Sequence, residues 1–506
     1  MFLLIIASIN FINISTAQSI SRSKEVGVRK VLGSQKNSLF WQFMTETFLI
    51  TVVSFLVSMF IIVSVIPSFN TLFGLELSLN DLLASNFLLF SLLMLLGIAL
   101  LSGSYPGIVL ARIAPLLALK GKVTQQDAGG LGTRKVLVVA QFMISIILII
   151  GTIGINKQIN YAVHSDLGYD KSQMVMLPIS GEREISKLQS LKNQLAQLAG
   201  VEKVSLCFAS PGAADSNWGT NVRYDNSPEA EEFSIQAKMA DKDYLNTFNL
   251  ELVAGRNFYE KDTVDEILVN ETFVKKLNLK SPDEVVGKAI DISGGTVKGK
   301  IVGVVRDFYD RDFHESINAI FIAPRPDSYN EIALKINMSD ASILLPQIEK
   351  EWSSAFPNYI FEYDFLDDRV AKLYESEQRF LSLTQLFSAL SIFIGSLGIY
   401  GLILFFVIQK TKEIGIRKVL GGGVFHILIL VTQDFLKLLV IAGAIASPLA
   451  WVFVNRWLEN FIYKTEISWW IFAVAIIGVA MVTLLTISYQ AIKAALANPV
   501  NSLRSE

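Results

Sequence analysis

Six apolar runs decide what this chain can fold into. They are Phe48–Ile66, Phe87–Leu101 (extendable to Leu110), Val136–Ile155, Phe380–Ile408, Leu438–Val454 and Ser468–Ile487, each nearly free of charge. A helix crossing a hydrocarbon core needs roughly 20 apolar residues, and buried helices of soluble cores rarely run so long without charge. A polytopic α-helical membrane protein is therefore expected. A seventh run, Met1–Ile14, is apolar but short. Ser15-Thr16-Ala17 behind it looks like a signal-cleavage site, but no basic stretch precedes it.

Charge separates the remainder. The formal net charge is −2, yet residues 157–379 hold 25 Lys+Arg against 36 Asp+Glu, a net of −11, and the other residues carry +9. Short loops carrying many Lys and Arg stay on the cytoplasmic side. Loop 15–38 holds Arg22, Lys24, Arg29, Lys30 and Lys36; loops 111–135 and 409–426 are similarly basic; loop 67–86 has no Lys or Arg, and 455–467 has only Arg456 and Lys464. The acidic block 157–379 is thus expected outside a bacterial inner membrane.

Lys24-Glu25-Val26-Gly27-Val28-Arg29-Lys30-Val31-Leu32-Gly33 recurs as Lys412-Glu413-Ile414-Gly415-Ile416-Arg417-Lys418-Val419-Leu420-Gly421, with eight of ten positions identical. Ala114–Lys120 has a weaker echo in Asn498–Arg504. As a helix the decapeptide places Ile416, Val419 and Leu420 on one side and spaces Glu413 and Arg417 at i, i+4, as Glu25 and Arg29 are in the first copy. Gly33 and Gly421 suit the left-handed residue after a helix. A basic helix on the inner leaflet needs positive charge but not near-identity between copies, whereas a protein presenting two similar sockets needs both. The motif predicts a docking helix. Glu46 and Asp434 fall thirteen residues after the two terminal glycines. An acid just inside a membrane helix is costly unless paired or interfacial; the docking-helix cations are candidate partners for both, and an interfacial position is the equal alternative, since Gln433 and Lys437 sit beside Asp434. Gly395, Gly398 and Gly401 allow close helix packing or leave one helix loose; Ser102–Gly107, containing Pro106, should kink or end its helix.

Aligned by the motif, Met1 falls opposite Ala389, inside the apolar run that begins at Phe380. A first helix and a first outer domain have no counterpart, so an N-terminally truncated form of a longer two-half protein is expected.

Within 157–379 the pattern is α+β. Strand Met174–Ile179, helix Ile185–Leu198 and strand Val201–Phe208 are answered by strand Glu331–Ile336, helix Ala341–Phe356 and strand Tyr359–Phe365. Between them, at about 212–328, an insertion of short strands (Ile267–Asn270, Lys288–Ile292, Lys300–Val305) makes a second subdomain. Glu362–Leu383 reads as one continuous helix into the membrane.

Chemistry-bearing motifs are sparse. Gly294–Lys300 matches the start of a phosphate-binding loop, but Ile301 stands where Ser or Thr should bind Mg²⁺, and a strand follows, so a β-turn is the better reading. His314-Glu315 lacks zinc-site spacing, and Asp367-Asp368 reads as a solvated helix face. A single cysteine, Cys207, excludes an intrachain disulfide framework. No catalytic residue, metal site or cofactor and no nucleic-acid partner is expected.

The repeated decapeptide, with Val269–Phe273, Val286-Gly287-Lys288 and Ile301–Phe308, resembles the FtsX/MacB-like family of ABC-transporter permeases, in a duplicated form similar to permeases of Bacteroidetes-type bacteria. The resemblance implies a first FtsX-like membrane unit at 1–123, a linker and helix at 124–156, a MacB-like periplasmic core at 157–379 and a second unit at 380–506. It also implies a separate, dimerising ATPase subunit docking at Glu25, Gly27, Arg29, Lys30 and Gly33 and at Glu413, Gly415, Arg417, Lys418 and Gly421. ATP-driven movement would then reshape the outer domain for efflux or for lipoprotein or peptide handling, with membrane lipid around the helices and a periplasmic adaptor or outer-membrane partner beyond. The alternative is a non-transporting scaffold or sensor that regulates a cell-wall hydrolase.

Overall fold

The computed structural model describes all residues except Met1, 19–21, 113–130, 180–183, 213–217, 260–263, 420–422 and 497–506. The echo segments Ala114–Lys120 and Asn498–Arg504 lie outside the described residues, as do Leu420 and Gly421. The chain divides into two units: Met1–Asn156, Arg379–Trp457 and Glu466–Glu506 form one, and Lys157–Gln378 with Leu458–Thr465 the other.

The first unit is helical. Its elements are α1 (Phe2–Gln18), α2 (Ser23–Val31), α3 (Lys36–Phe73), α4 (Leu79–Leu83), α5 (Ser85–Arg112), α6 (Leu131–His164), α12 (Glu375–Val419), α13 (Val424–Leu458) and α14 (Trp469–Leu496), with α6, α12 and α13 running on into the second unit. All but α1, α2 and α4 are long and apolar enough to cross a membrane. Within lipid every backbone polar group must be satisfied by its own segment, which dictates helices here. Val53, Leu56 and Phe60 of α3 are exposed, a placement that suits lipid rather than water.

Pro106 does not end its helix, because α5 continues to Arg112. Packing holds the turn in place. A Cβ on Gly103 would stand 2.9 Å from Met44 Sδ and one on Gly107 3.0 Å from Phe40, so both glycines are notches for side chains of α3.

The second unit holds two sheets. β1 (Met174–Pro178), β2 (Val201–Cys207), β10 (Glu331–Ile336) and β11 (Asp364–Phe365) form an antiparallel sheet in the order β11-β1-β10-β2. Helices α7 (Ile185–Leu195) and α10 (Ala341–Ala355) bury Leu188, Leu191 and Leu195, and Leu344, Ile348 and Trp352. Each such side chain contributes about 1.5–3 kcal/mol. This strand order is the split β-α-β arrangement of ferredoxin-like folds.

Between β2 and β10 lie β3 (Gly219–Tyr224), β4 (Ser234–Met239), α8 (Tyr244–Thr247), β5 (Leu252–Gly255), β6 (Glu266–Asn270), α9 (Glu271–Lys276), β7 (Ala289–Ile292), β8 (Val297–Val305) and β9 (Ala319–Ala323). Their seven-stranded sheet runs β5-β8-β6-β9-β4-β3-β7, and pairing of β7 with β8 closes it on itself. The Gly294–Lys300 segment is the turn and second strand of that hairpin, with Ser293, Gly294 and Gly295 at positive φ.

Two sequence expectations require correction. Only Asp364–Phe365 of Tyr359–Phe365 is strand. Ile179 donates its N–H to Asn330 on the β10 side, so position 178 faces β11, and Pro178 there has no N–H to give. Ile360, 83% exposed, turns outward instead. Nor is Glu362–Leu383 one helix. After β11, α11 (Leu366–Lys372) stops, and α12 starts at Glu375 beyond a turn at Leu373–Tyr374. The turn directs Tyr374 into the outer unit, where its hydroxyl accepts the N–H of Phe313 at 3.0 Å.

Candidate functional site

The first decapeptide forms α2, and Arg29 and Lys30 reach from it to neighbouring helices. Arg22, at the N-terminal boundary of α2, donates to both oxygens of Glu46 at 3.0 and 3.1 Å. Arg29 donates to Glu25 at 2.6 Å and to Gln42 at 3.1 Å. Lys30 Nζ donates at 2.8 Å to the carbonyl of Ala111, near the C-terminal end of α5, where the helix dipole favours a cation. Burial and the neighbouring Lys36 lower the Lys30 pKa. Gly27 is buried, and Val26 packs against Phe43 and Leu110. Gly33, at φ +101°, lets Ser34 N–H return to Arg29 O at 3.0 Å and closes the helix.

Alongside Glu25 and Arg29, the first decapeptide leaves three aliphatic side chains exposed. Val28, Val31 and Leu32 are 46, 64 and 81% exposed. They are the counterparts of Ile416, Val419 and Leu420, whose i, i+3, i+4 spacing was the legible signal.

The second copy is built differently, since Lys412–Val419 continues α12 rather than forming a separate helix. Glu413, Gly415, Arg417 and Lys418 lie on that helix; nothing further is described for them, and Gly421 is outside the described residues. Asp434 stands 4.0 Å from Lys437, one turn along α13, and both are more than half exposed.

Inside the bundle the three glycines of α12 each receive a side chain. A Cβ on Gly395 would lie 2.9 Å from Gln141 Nε2, one on Gly398 would collide with Asn10, and one on Gly401 would lie 2.9 Å from Ile14. Gln141 donates to Gly395 O at 2.8 Å and Asn10 to Ile394 O at 2.5 Å. Ser145 and Ser391 bond at 2.8 Å, and Thr152 and Ser388 at 2.9 Å. These are tight contacts of α12 with α1 and α6, which removes the loose-helix reading. Each interhelical hydrogen bond in such a setting contributes about 0.6 kcal/mol. Sequence reasoning missed Asn10 and Gln141, whose signal was an amide inside an otherwise apolar run.

In the outer unit the segments that carried the family resemblance meet. Asn270, ending β6, accepts the N–H groups of Phe273 and Ile320 and donates to Asp307 at 3.0 Å and to Asn318 O at 2.8 Å. Asp307 also accepts Lys275 Nζ at 2.8 Å and gives its own N–H to Glu271. Asp310, almost fully buried, accepts the side-chain amide of Asn318 at 2.9 Å. The segment 306–318 is thereby fixed to the end of β6 and the start of α9.

Reactive side chains elsewhere are enclosed or solvated. Cys207 is fully buried, which pushes its thiol pKa well up. Burial pulls Lys238 down to about 8, and its Nζ donates to Ser210 O at 3.1 Å. Asp367 and Asp368 are exposed in the first turn of α11. Among the described residues no group of three or more His, Cys, Asp or Glu is placed to hold a metal ion.

Comparison with known proteins finds two family models that match different stretches of the chain. The family described as FtsX-like permease C-terminal matches residues 1–115 and again 385–499, and the MacB-like periplasmic core domain matches 136–346. The uncharacterized ABC transporter permease YvrN of Bacillus subtilis (strain 168) is 27% identical over 246 residues, 44% of this chain and 56% of that protein. The macrolide export ATP-binding/permease protein MacB of Chromobacterium violaceum is 28% identical over 147 residues, 28% of this chain and 22% of that protein. The matched stretches therefore span about half of the first relative and under a quarter of the second. The crystal structure of the periplasmic region of MacB from Actinobacillus actinomycetemcomitans aligns over 41% of this chain and 94% of that one, at 13% identity and a TM-score of 0.30.

Proposed function

The chain belongs to the FtsX/MacB-like family of ABC-transporter permeases, a multi-pass membrane protein with an extracytoplasmic domain, and from that premise we propose that it couples ATP hydrolysis by a separate ATPase subunit to movement of residues 157–379. The two decapeptides are the docking segments, one for each ATPase of a dimer. Export is the transport role, by likeness to the relative named for macrolide export.

The observation that carries this reading is the outward face of α2. Arg22, Arg29 and Lys30 are engaged within the membrane unit, so they orient the helix rather than greet a partner. Val28, Val31 and Leu32 stay exposed on a basic, cytoplasmic segment. Aliphatic side chains held out in this way suit an apolar socket on a protein. Glu25 and Arg29 brace the helix, while Gly27 and Gly33 let it pack closely and end.

The test is association of the purified full chain with its cognate ATPase. Leu32→Asp should weaken capture of the ATPase by roughly tenfold, the second segment still being engaged, while leaving the permease folded. Alanine at Glu413 and Arg417 should weaken capture by loosening the second segment. Undiminished association and ATPase stimulation in all of these variants would overturn the reading.

A further inference from the structure

Residues 455–467 look from the sequence like a short outer loop between two membrane helices. Such a loop can satisfy its backbone with water. In this protein Leu458–Thr465 instead folds as part of the outer unit.

The attachment uses backbone and rings together. Ile462 N–H donates to Phe313 O at 2.9 Å, and Tyr463 N–H lies 3.3 Å from the same oxygen. Gln158 is completely buried, and its amide is spent on this loop: Nε2 donates to Tyr463 O at 2.9 Å, and Oε1 accepts Thr465 N–H at 2.8 Å. Phe461, 3% exposed, stacks on His314 at 4.0 Å between ring centroids. The Tyr463 ring packs on Tyr309 at 4.8 Å and on Phe313 at 5.5 Å.

The receiving side is rigid. Phe313 is nearly fully buried, its N–H is held by the Tyr374 hydroxyl, and Tyr161 packs edge-on against its ring. It sits within 306–318, the segment pinned by Asn270, Asp307 and Asp310. Force applied to the loop is therefore delivered to β6, α9 and β9 rather than lost in a flexible connection.

We propose that Leu458–Thr465 is a strap, a third anchorage of the outer domain besides the continuous helices α6 and α12. By chain continuity it ties that domain to α13 and α14, the two helices that follow the second docking segment. Displacement of α13 and α14 then pulls on the outer domain at Phe313. The source of that displacement rests on the function proposed above; the strap itself does not.

Two measurements on the full chain in lipid nanodiscs separate these claims. The first is amide hydrogen exchange. The Ile462 and Thr465 amides should exchange at least roughly tenfold more slowly than those of an unstructured peptide, and Gln158→Ala and Phe461→Ala should each remove most of that protection. Wild-type exchange of 461–465 at unstructured-peptide rates would overturn the strap. The second measurement adds the cognate ATPase and follows ATP-dependent protease sensitivity of the outer domain. Both variants should still bind the ATPase yet lose most of the ATP response. A full response with the strap released would overturn its coupling role. Failure of the wild-type chain to bind the ATPase at all would count against the proposed function and leave the exchange result standing.

Discussion

Asp307 accepts both the backbone N–H and the hydroxyl of Thr272, at 2.7 and 3.0 Å, and so joins the start of α9 to the segment after β8. Two stretches that look unrelated along the chain are one hydrogen-bonded unit, and that unit backs the contact at Phe313.

Asp307→Ala is accordingly expected to destabilise the outer domain by about 2–3 kcal/mol, because it strands the Thr272 N–H and removes a partner of Asn270. Asp307→Asn, which keeps one acceptor oxygen, should cost less. Thermal unfolding midpoints of the full chain compare the two; equal midpoints for Asp307→Ala and wild type would contradict the network.

Lys238 predicts a pH dependence with a definite sign. Burial lowers its pKa from 10.5 to about 8 in the folded protein. Between those values the unfolded chain binds more protons than the native one, so stability rises with pH across about 8 to 10.5. Lys238→Met should flatten that rise. Unfolding midpoints from pH 7 to 10 would show a parallel pair of curves if the lysine plays no part.

Gly398 and Asn10 should behave as a coupled pair. Gly398→Ala puts a methyl group into Asn10 and should cost about 1–3 kcal/mol as overpacking. Adding Asn10→Ala should recover part of that loss. The readout is the thermal midpoint of the detergent-solubilised protein, and simple additivity of the two changes would exclude direct contact.

The two proposed docking segments predict avidity. Val31→Asp or Val419→Asp alone should weaken ATPase capture by roughly tenfold, and the pair by far more, because each remaining contact raises the effective concentration at the other. Titrated pull-downs separate the cases. An effect from one segment and none from its repeat would mean that only one socket is used.

Much of this architecture was legible in local pattern. The hydropathy of the six runs gives the spans, and the strand–helix–strand units around 174–208 and 331–356 appear within a few residues of their predicted limits. What failed were junctions. Glu362–Leu383 has helical periodicity, but the partner that interrupts it, Phe313, is about sixty residues distant in sequence. Tyr359–Phe365 has strand composition, but Pro178 in another strand withholds the bond it needed. Ser102–Gly107 reads as a kink or an end, and the end is excluded only once the helix is seen to continue to Arg112 with α3 side chains seated against Gly103 and Gly107.

The proposed docking segments divide in the same way. The repeat located the helix and the spacing of its apolar face. The directions of Arg22, Arg29 and Lys30 came from Glu46, Gln42 and Ala111, residues of other helices.

By itself the sequence determined which segments enter a membrane, which loops are basic and that one decapeptide is repeated, because partition between water and hydrocarbon acts on each segment separately and a repeat is read from the residues directly. Only the tertiary structure decided that three glycines of α12 are sockets, that Gln158 grips a distant loop and that Val28, Val31 and Leu32 stay exposed. Those outcomes depend on which surfaces meet, and a hydrogen bond or a steric notch between residues up to hundreds of positions apart leaves no trace in the periodicity of either.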